Sequence, residues 1–263
     1  MDLQVTGKRA FISGSTRGIG HAVARALAAE GADVVLHGRT HGGVEAAVSR
    51  LRAEGHGVDV SGVAGDVSDD DEVGRLLEGV GDVDVLVNNV GVFELRAFTA
   101  TTDEDWRRVL DVNLMSAVRL SRRLLPGMLE RGWGRIVMVS SESGVDIPAD
   151  MLDYGVSKAA VLALGNGLAK LTRGTEVTVN TILGGPTYSD GVASAVRSVA
   201  ELQGLAEDDV KSAIAAGNTT SLVQRFLEPA ELASLVAYLA SPLSSAVNGA
   251  ALRADGGRLV QVL

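Results

Sequence analysis

No cysteine occurs among the 263 residues, which excludes disulfides, thiolate chemistry and Cys-ligated metals. None of the four histidines (His21, His37, His41 and His56) is read as a metal ligand, so no metal site is expected. No run reaches 18 apolar residues, so no segment is expected to span a bilayer. The opening stretch MDLQVTGKRAFISG lacks a long apolar core and is not read as a signal peptide. Positive charge is in deficit. With 24 Lys and Arg against 33 Asp and Glu, the formal charge is −9, which disfavours nucleic acid and anionic membrane as partners. A cytoplasmic, soluble enzyme or binding protein is the expectation that remains. Tyrosine occurs only three times, yet one copy, Tyr154, stands in YGVSK, four residues before Lys158. That spacing is one helical turn, so the two side chains could share a face.

Glycine is abundant instead. Its 32 copies are spread along the chain, which points to tight turns and close backbone approaches rather than disorder. Apolar content of 46% fits a substantial core. Strands are expected at 9–13, 33–38, 60–67, 83–89, 134–141, 177–183 and 249–255, and helices at 19–31, 44–55, 69–80, 103–130, 152–172 and 229–241. Strands spaced by helices imply α/β architecture: a doubly wound parallel sheet of about seven strands with helices on both faces. One domain over 1–263 is expected, with small helices forming a mobile substrate flap at about 187–222, where the pattern is weak and rich in Ala, Ser and Gly.

Between the first strand and the first helix lies GSTRGIG, with Gly14, Gly18 and Gly20. Such a junction can be a plain tight turn, or it can let backbone N–H groups approach a pyrophosphate at a helix N-terminus. An NAD site places an acid at the end of the second strand for the ribose 2′-hydroxyl. Here VVLHGRT has Gly38 at that point, followed by Arg39, and Arg17 lies inside the glycine turn. Both arginines can be ordinary surface charges. The missing acid together with two nearby guanidinium groups predicts NADP(H), because a guanidinium binds a 2′-phosphate that a carboxylate would repel.

The glycine turn, NNVG (88–91), DVNL with Asn113, SS before YGVSK and a terminal DGG occur in the order found in the short-chain dehydrogenase/reductase family. The chain resembles that family over about residues 5–257, and most resembles its 3-oxoacyl-carrier-protein-reductase-like branch. The resemblance implies a Rossmann-type fold, NADP dependence and a homotetramer. It also implies a catalytic set of Asn113, Ser141, Tyr154 and Lys158, with Ser140 as the near miss for the serine. Cofactor contacts are implied for Gly14, Ser15, Thr16, Arg17, Gly18, Ile19, Gly20, Arg39, Asn89, Gly91, Tyr154 and Lys158. By the same resemblance, Asp66 and Val67 hold the adenine and Thr187 faces the nicotinamide carboxamide.

The residue types suit that chemistry. A free phenol with a pKa of about 10 is a poor acid–base partner near neutrality, and a neighbouring ammonium lowers it. Tyr154 can then protonate a carbonyl oxygen as hydride arrives at carbon, with Ser141 holding that oxygen. Asn113 could anchor a water that relays protons from Lys158. Taken singly, Tyr154 is more often a packed ring, Lys158 a solvated charge, Ser141 a turn residue and Asn113 a helix hydrogen-bonder. Together they point to reduction of a ketone, a 3-oxoacyl type or another small carbonyl, with alcohol oxidation as the reverse. The competing reading is a non-catalytic NADP(H)-binding sensor. Arg131 and Arg173 could attract an acidic carrier protein bearing the substrate, although scattered surface arginines are the commoner case. Gly184 stands where the family usually has proline, which predicts a looser loop around Thr187.

Overall fold

The computed structural model describes residues 2–261. Seven strands form one parallel sheet: β1 (Arg9–Ile12), β2 (Asp33–Gly38), β3 (Val60–Ala64), β4 (Val85–Asn88), β5 (Trp133–Ser141), β6 (Glu176–Gly184) and β7 (Ala251–Ala254). Their order is β3-β2-β1-β4-β5-β6-β7. The order reverses between β1 and β4, and that switch point at the carboxyl edge is where open α/β sheets bind ligands.

Because the strands are covered on both faces, they are nearly continuous apolar runs. One face carries α1 (Gly18–Ala29), α2 (His41–Ala53) and α9 (Pro229–Ala240), packed through Val23, Leu27, Val44, Leu51 and Val236. The other carries α3 (Asp70–Val80), α5 (Ser116–Arg131) and α6 (Leu152–Ala169), packed through Leu76, Leu120, Met128 and Val161. The segment expected as a flap folds into α7 (Asp190–Gln203) and α8 (Glu207–Gly217).

The long helix expected over 103–130 is not continuous. α4 (Asp103–Leu110) gives way to a π-helical turn at Asp111–Met115 before α5 begins. Apolar periodicity does not register one extra residue per turn, and such turns concentrate at functional sites. β3 also ends earlier than expected, so Asp66 and Val67 lie in the loop beyond it.

Gly184 does not loosen its loop. It extends β6, paired with Ser141 on one side and Ala254 on the other, and Leu232 fills the space a Cβ would need, 2.8 Å away. The loop beyond is pinned by Leu227 N–H on the Pro186 carbonyl and Tyr188 N–H on the Leu227 carbonyl, each at 2.8 Å. Arg131 and Arg173 precede β5 and β6, at the sheet edge opposite the switch point. Arg131 is also paired with Asp82 at 3.1 Å. The two arginines weighed as charges that could attract a carrier thus lie away from the switch point.

Candidate active site

The glycine turn leaves β1 with Gly14 and Gly18 at φ of +65° and +59°, a region that glycine enters without strain. Ser15 is fully buried and donates to the Ile12 carbonyl at 2.7 Å, so its side chain shapes the turn rather than facing a ligand. Asn89, just past β4, donates to the carbonyls of Ser13 (3.0 Å) and Gly14 (2.9 Å). It acts on the cofactor groove by holding the turn. Gly20 and Ile19 begin α1, with Gly20 buried and Ile19 packed on the core.

The first turn of α1 has no side-chain cap of its own from Arg17. Its Gly18 N–H donates 2.7 Å to the carboxylate of Asp190, at the start of α7. A carboxylate on that N–H demonstrates that the turn accepts an anion, as a helix N-terminus should. Arg17 and Arg39 are exposed beside it. The sequence reading missed Arg50, which reaches from α2 to donate 2.7 Å to the Thr16 carbonyl. A helix-surface arginine 33 residues past Arg17 carries no local motif that would have flagged it.

His37 is a second clamp on the turn. Its Nδ1 accepts from Gly14 N–H and its Nε2 lies 3.0 Å from the Gly65 carbonyl, which assigns the proton to Nε2. His37 and His41 stand four residues apart, yet they sit on a strand end and a helix start, and His37 has no free nitrogen. No cluster able to hold a metal exists among the described residues. Desolvation holds the buried His37 below its ordinary 6.5. The unfolded chain then binds the proton more readily, so His37 contributes stability above about pH 6.5 that is lost as pH falls toward its folded value. Thermal or urea melts from pH 7.5 to 5.5 are expected to lose up to about 1.4 kcal/mol per pH unit from this group. His21 is shifted the same way. The His37→Gln variant should show a shallower slope, and an unchanged slope would remove His37 from the account.

Asp66 takes two hydrogen bonds from Ser68, and the side chain of Val67 packs in the core, leaving only its backbone for an adenine. The Thr187 hydroxyl donates to the Gly185 carbonyl at 2.8 Å.

β5 delivers Ser141 to the same edge. The turn after it, Glu142–Gly144, lies directly on α6. A Cβ on Gly144 would sit 2.8 Å from the Lys158 carbonyl carbon, and one on Gly155 would sit 2.8 Å from the Ser143 oxygen. These two close approaches bring Ser141 and Tyr154 together. Ser140 donates to the Lys158 carbonyl at 2.9 Å, whereas the Ser141 hydroxyl is the one beside the Tyr154 phenol.

Lys158 is buried, with Nζ 3.0 Å from the Val139 carbonyl and 5.6 Å from the centre of the Tyr154 ring. Gly91 leaves room for this ammonium, since a Cβ there would lie 3.2 Å from Nζ. Burial pushes Lys158 down to about 8. Tyr154 is pushed up to about 12, chiefly by desolvation. The Ser141 hydroxyl opposes the shift and the Glu142 carboxylate adds to it. Lys158 is not among the influences on the phenol at this distance, and the expected lowering is one in which the ammonium acts together with an oxidised nicotinamide. The ammonium lies under the ring, tied to a carbonyl, while the nearest carboxylate acts in the opposite sense. Asp153, the acid adjacent in sequence, instead accepts from the Tyr154 N–H.

Asn113 is buried in the π turn, where its amide makes three hydrogen bonds. It accepts from Val92 N–H (2.7 Å) and donates to the Val92 carbonyl and Ser157 hydroxyl (both 2.9 Å). Its side chain anchors the Gly91–Val92 segment to α6. Glu142 and Phe93 were missed. Glu142 accepts from the Ser141 hydroxyl, and Phe93 tilts against Tyr154 with ring centres 5.8 Å apart.

The chain is similar in sequence and fold to known proteins. YvrD of Bacillus subtilis, an oxidoreductase, is 43% identical over 98% of each chain. The 3-oxoacyl-[acyl-carrier-protein] reductase of Aquifex aeolicus is 31% identical over 98% of this chain and 99% of its own. The L-sorbose reductase of Gluconobacter frateurii, solved with NADPH and L-sorbose, superposes with a TM-score of 0.95 at 32% identity, covering 100% of both chains. The short chain dehydrogenase model matches residues 8–200. On that match, and with its site residues in the family's order at the sheet's switch point, the chain belongs to the short-chain dehydrogenase/reductase family of oxidoreductases and resembles its 3-oxoacyl-reductase-like branch.

Proposed function

We propose that this protein is an NADP(H)-dependent carbonyl reductase that converts a ketone to a secondary alcohol. The observation that carries the reading is the convergence of Ser141, Tyr154 and Lys158 beside an anion-accepting glycine turn. Gly14, Thr16, Gly18, Ile19 and Gly20 would cradle the pyrophosphate, and Arg17 and Arg39 the 2′-phosphate. Gly91, Tyr154, Lys158 and Thr187 would line the nicotinamide half. NADPH, when bound, supplies the hydride, and its oxidised form adds positive charge near the phenol.

The chain's own residues handle the proton. A phenol held near 12 stays protonated at neutral pH, which is the form a general acid needs. An alkoxide is far more basic than a phenolate, so donation from Tyr154 to the developing oxygen remains downhill. Ser141 turns from Glu142 to the substrate oxygen and stabilises it. Lys158, held near 8, is mostly charged at pH 7 and favours the resulting phenolate. Asn113 is a positioning residue that fixes Val92 and Ser157 around this group.

Support for a cytoplasmic homotetramer comes from family likeness. No helix among the described residues is long and apolar enough to cross a membrane. The reading is tested by following NADPH absorbance with a panel of 3-oxoacyl thioesters, diketones, cyclic ketones and hydroxyketones. Consumption with at least one ketone, and far less with NADH, is the expected result. Firm NADPH binding with no turnover on any carbonyl or alcohol would instead establish the sensor reading.

A further inference from the structure

Beyond Ser141, on the side away from the glycine turn, lies a cavity of about 340 Å³. Its walls include Glu142, Met151, Pro186, Ile214, Thr220 and Arg258. The volume suits a short substrate.

The charges in it are specific. One oxygen of Glu142 accepts from the Ser141 hydroxyl, and the other lies 3.4 Å from the Ser143 hydroxyl. Arg258 donates to the Thr220 hydroxyl and reaches Asp146 at 3.4 Å. Glu142 in the wall matches Arg258, which is also paired with Asp146 outside the cavity, so no net positive charge is left for an anionic head such as a keto acid or a phosphorylated carrier arm. An ionised carboxylate is an acceptor only. When Ser141 turns toward a substrate oxygen, the Glu142 oxygen it served loses that donor, while the other oxygen keeps the Ser143 hydroxyl. A buried acceptor left unpaired costs about 1–3 kcal/mol, so a site of this kind discriminates against substrates that bring no hydroxyl.

We propose that Glu142 selects the substrate: a neutral, short ketone bearing a hydroxyl on the carbon next to the carbonyl, as in an open-chain ketose. The carbonyl oxygen rests on Ser141 and Tyr154, the neighbouring hydroxyl donates to Glu142, and more distant hydroxyls meet Arg258 and Thr220. This rests on the carbonyl-reductase reading above and narrows it.

The test is a comparison of kcat/KM for erythrulose, 2-butanone and an acetoacetyl thioester with the wild-type protein and the E142Q and E142L variants. NADPH binding by each variant reports folding. The wild type is expected to favour erythrulose over 2-butanone, which has the same carbon skeleton without hydroxyls, by about a hundredfold or more. E142L should reduce that ratio by about thirtyfold, with E142Q in between because its amide oxygen still accepts. A wild type that reduces 2-butanone or the thioester as well as erythrulose, or an E142L variant that keeps the ratio, overturns the proposal and leaves the carbonyl-reductase reading standing. Absence of reduction of all three overturns the proposal, and absence across the wider ketone panel above overturns the carbonyl-reductase reading as well.

Discussion

The Tyr154→Phe variant is expected to lose about 10²–10⁴-fold in turnover, the range that a positioned general acid contributes, while its NADPH affinity stays within about twofold. The substitution removes one oxygen and keeps the ring that packs on Phe93 and over Lys158. The fold should therefore persist. Lys158 cannot substitute as the acid, because its ammonium is buried against the Val139 carbonyl. Ser141 cannot either, because a serine hydroxyl is a much weaker acid than a phenol. Stopped-flow absorbance measures turnover, and nucleotide fluorescence measures affinity. A variant that keeps a tenth or more of wild-type turnover would reassign the acid.

The second large effect concerns the cofactor's extra phosphate. Exchanging Arg17 and Arg39 together for alanine is expected to weaken NADPH binding by about a hundredfold, taking each charge-assisted contact at about 1.5 kcal/mol after discounting for exposure. NADH binding should change by less than about threefold, since it presents no charge at that point. Equal losses for both nucleotides would show that the arginines shape the turn rather than read the phosphate, and Arg50 would then be the better candidate. The structure adds a constraint on any attempt to convert the site to NAD. A Cβ on Gly38 would lie 2.5 Å from the Thr16 methyl carbon, so Gly38→Asp alone should disturb the turn. A smaller residue at position 16 would have to accompany it.

Much of the fold was legible because its signals are local. Each strand is a short apolar run, each helix has its own period, and Gly31, with φ of +88°, ends α1 as a helix-terminating glycine should. NADP(H) was legible from two local signals: a glycine turn with Arg17 inside it, and a missing acid at Gly38 with Arg39 beside it. What escaped was set by contacts between distant segments. The π turn around Asn113 is dictated by bonds to Val92 and Ser157. The Asp190 cap on Gly18 joins residues 172 positions apart. The Gly184 argument failed because proline and glycine were compared as isolated backbones, whereas Leu232 packs against that position. The contribution of Glu142 to the phenol escaped because it comes from another element.

The central claim is that Tyr154 hands its proton to a substrate oxygen beside a bound nicotinamide. A crystal structure with NADPH and a slow or inert ketone analogue tests it most directly. The expected result places the analogue's oxygen within hydrogen-bond reach of both the Tyr154 and Ser141 hydroxyls, with the carbonyl carbon about 3–3.5 Å from the nicotinamide carbon that carries the hydride. The contradictory result is a fully bound nucleotide whose nicotinamide lies away from Tyr154, with the analogue's oxygen held by some other donor.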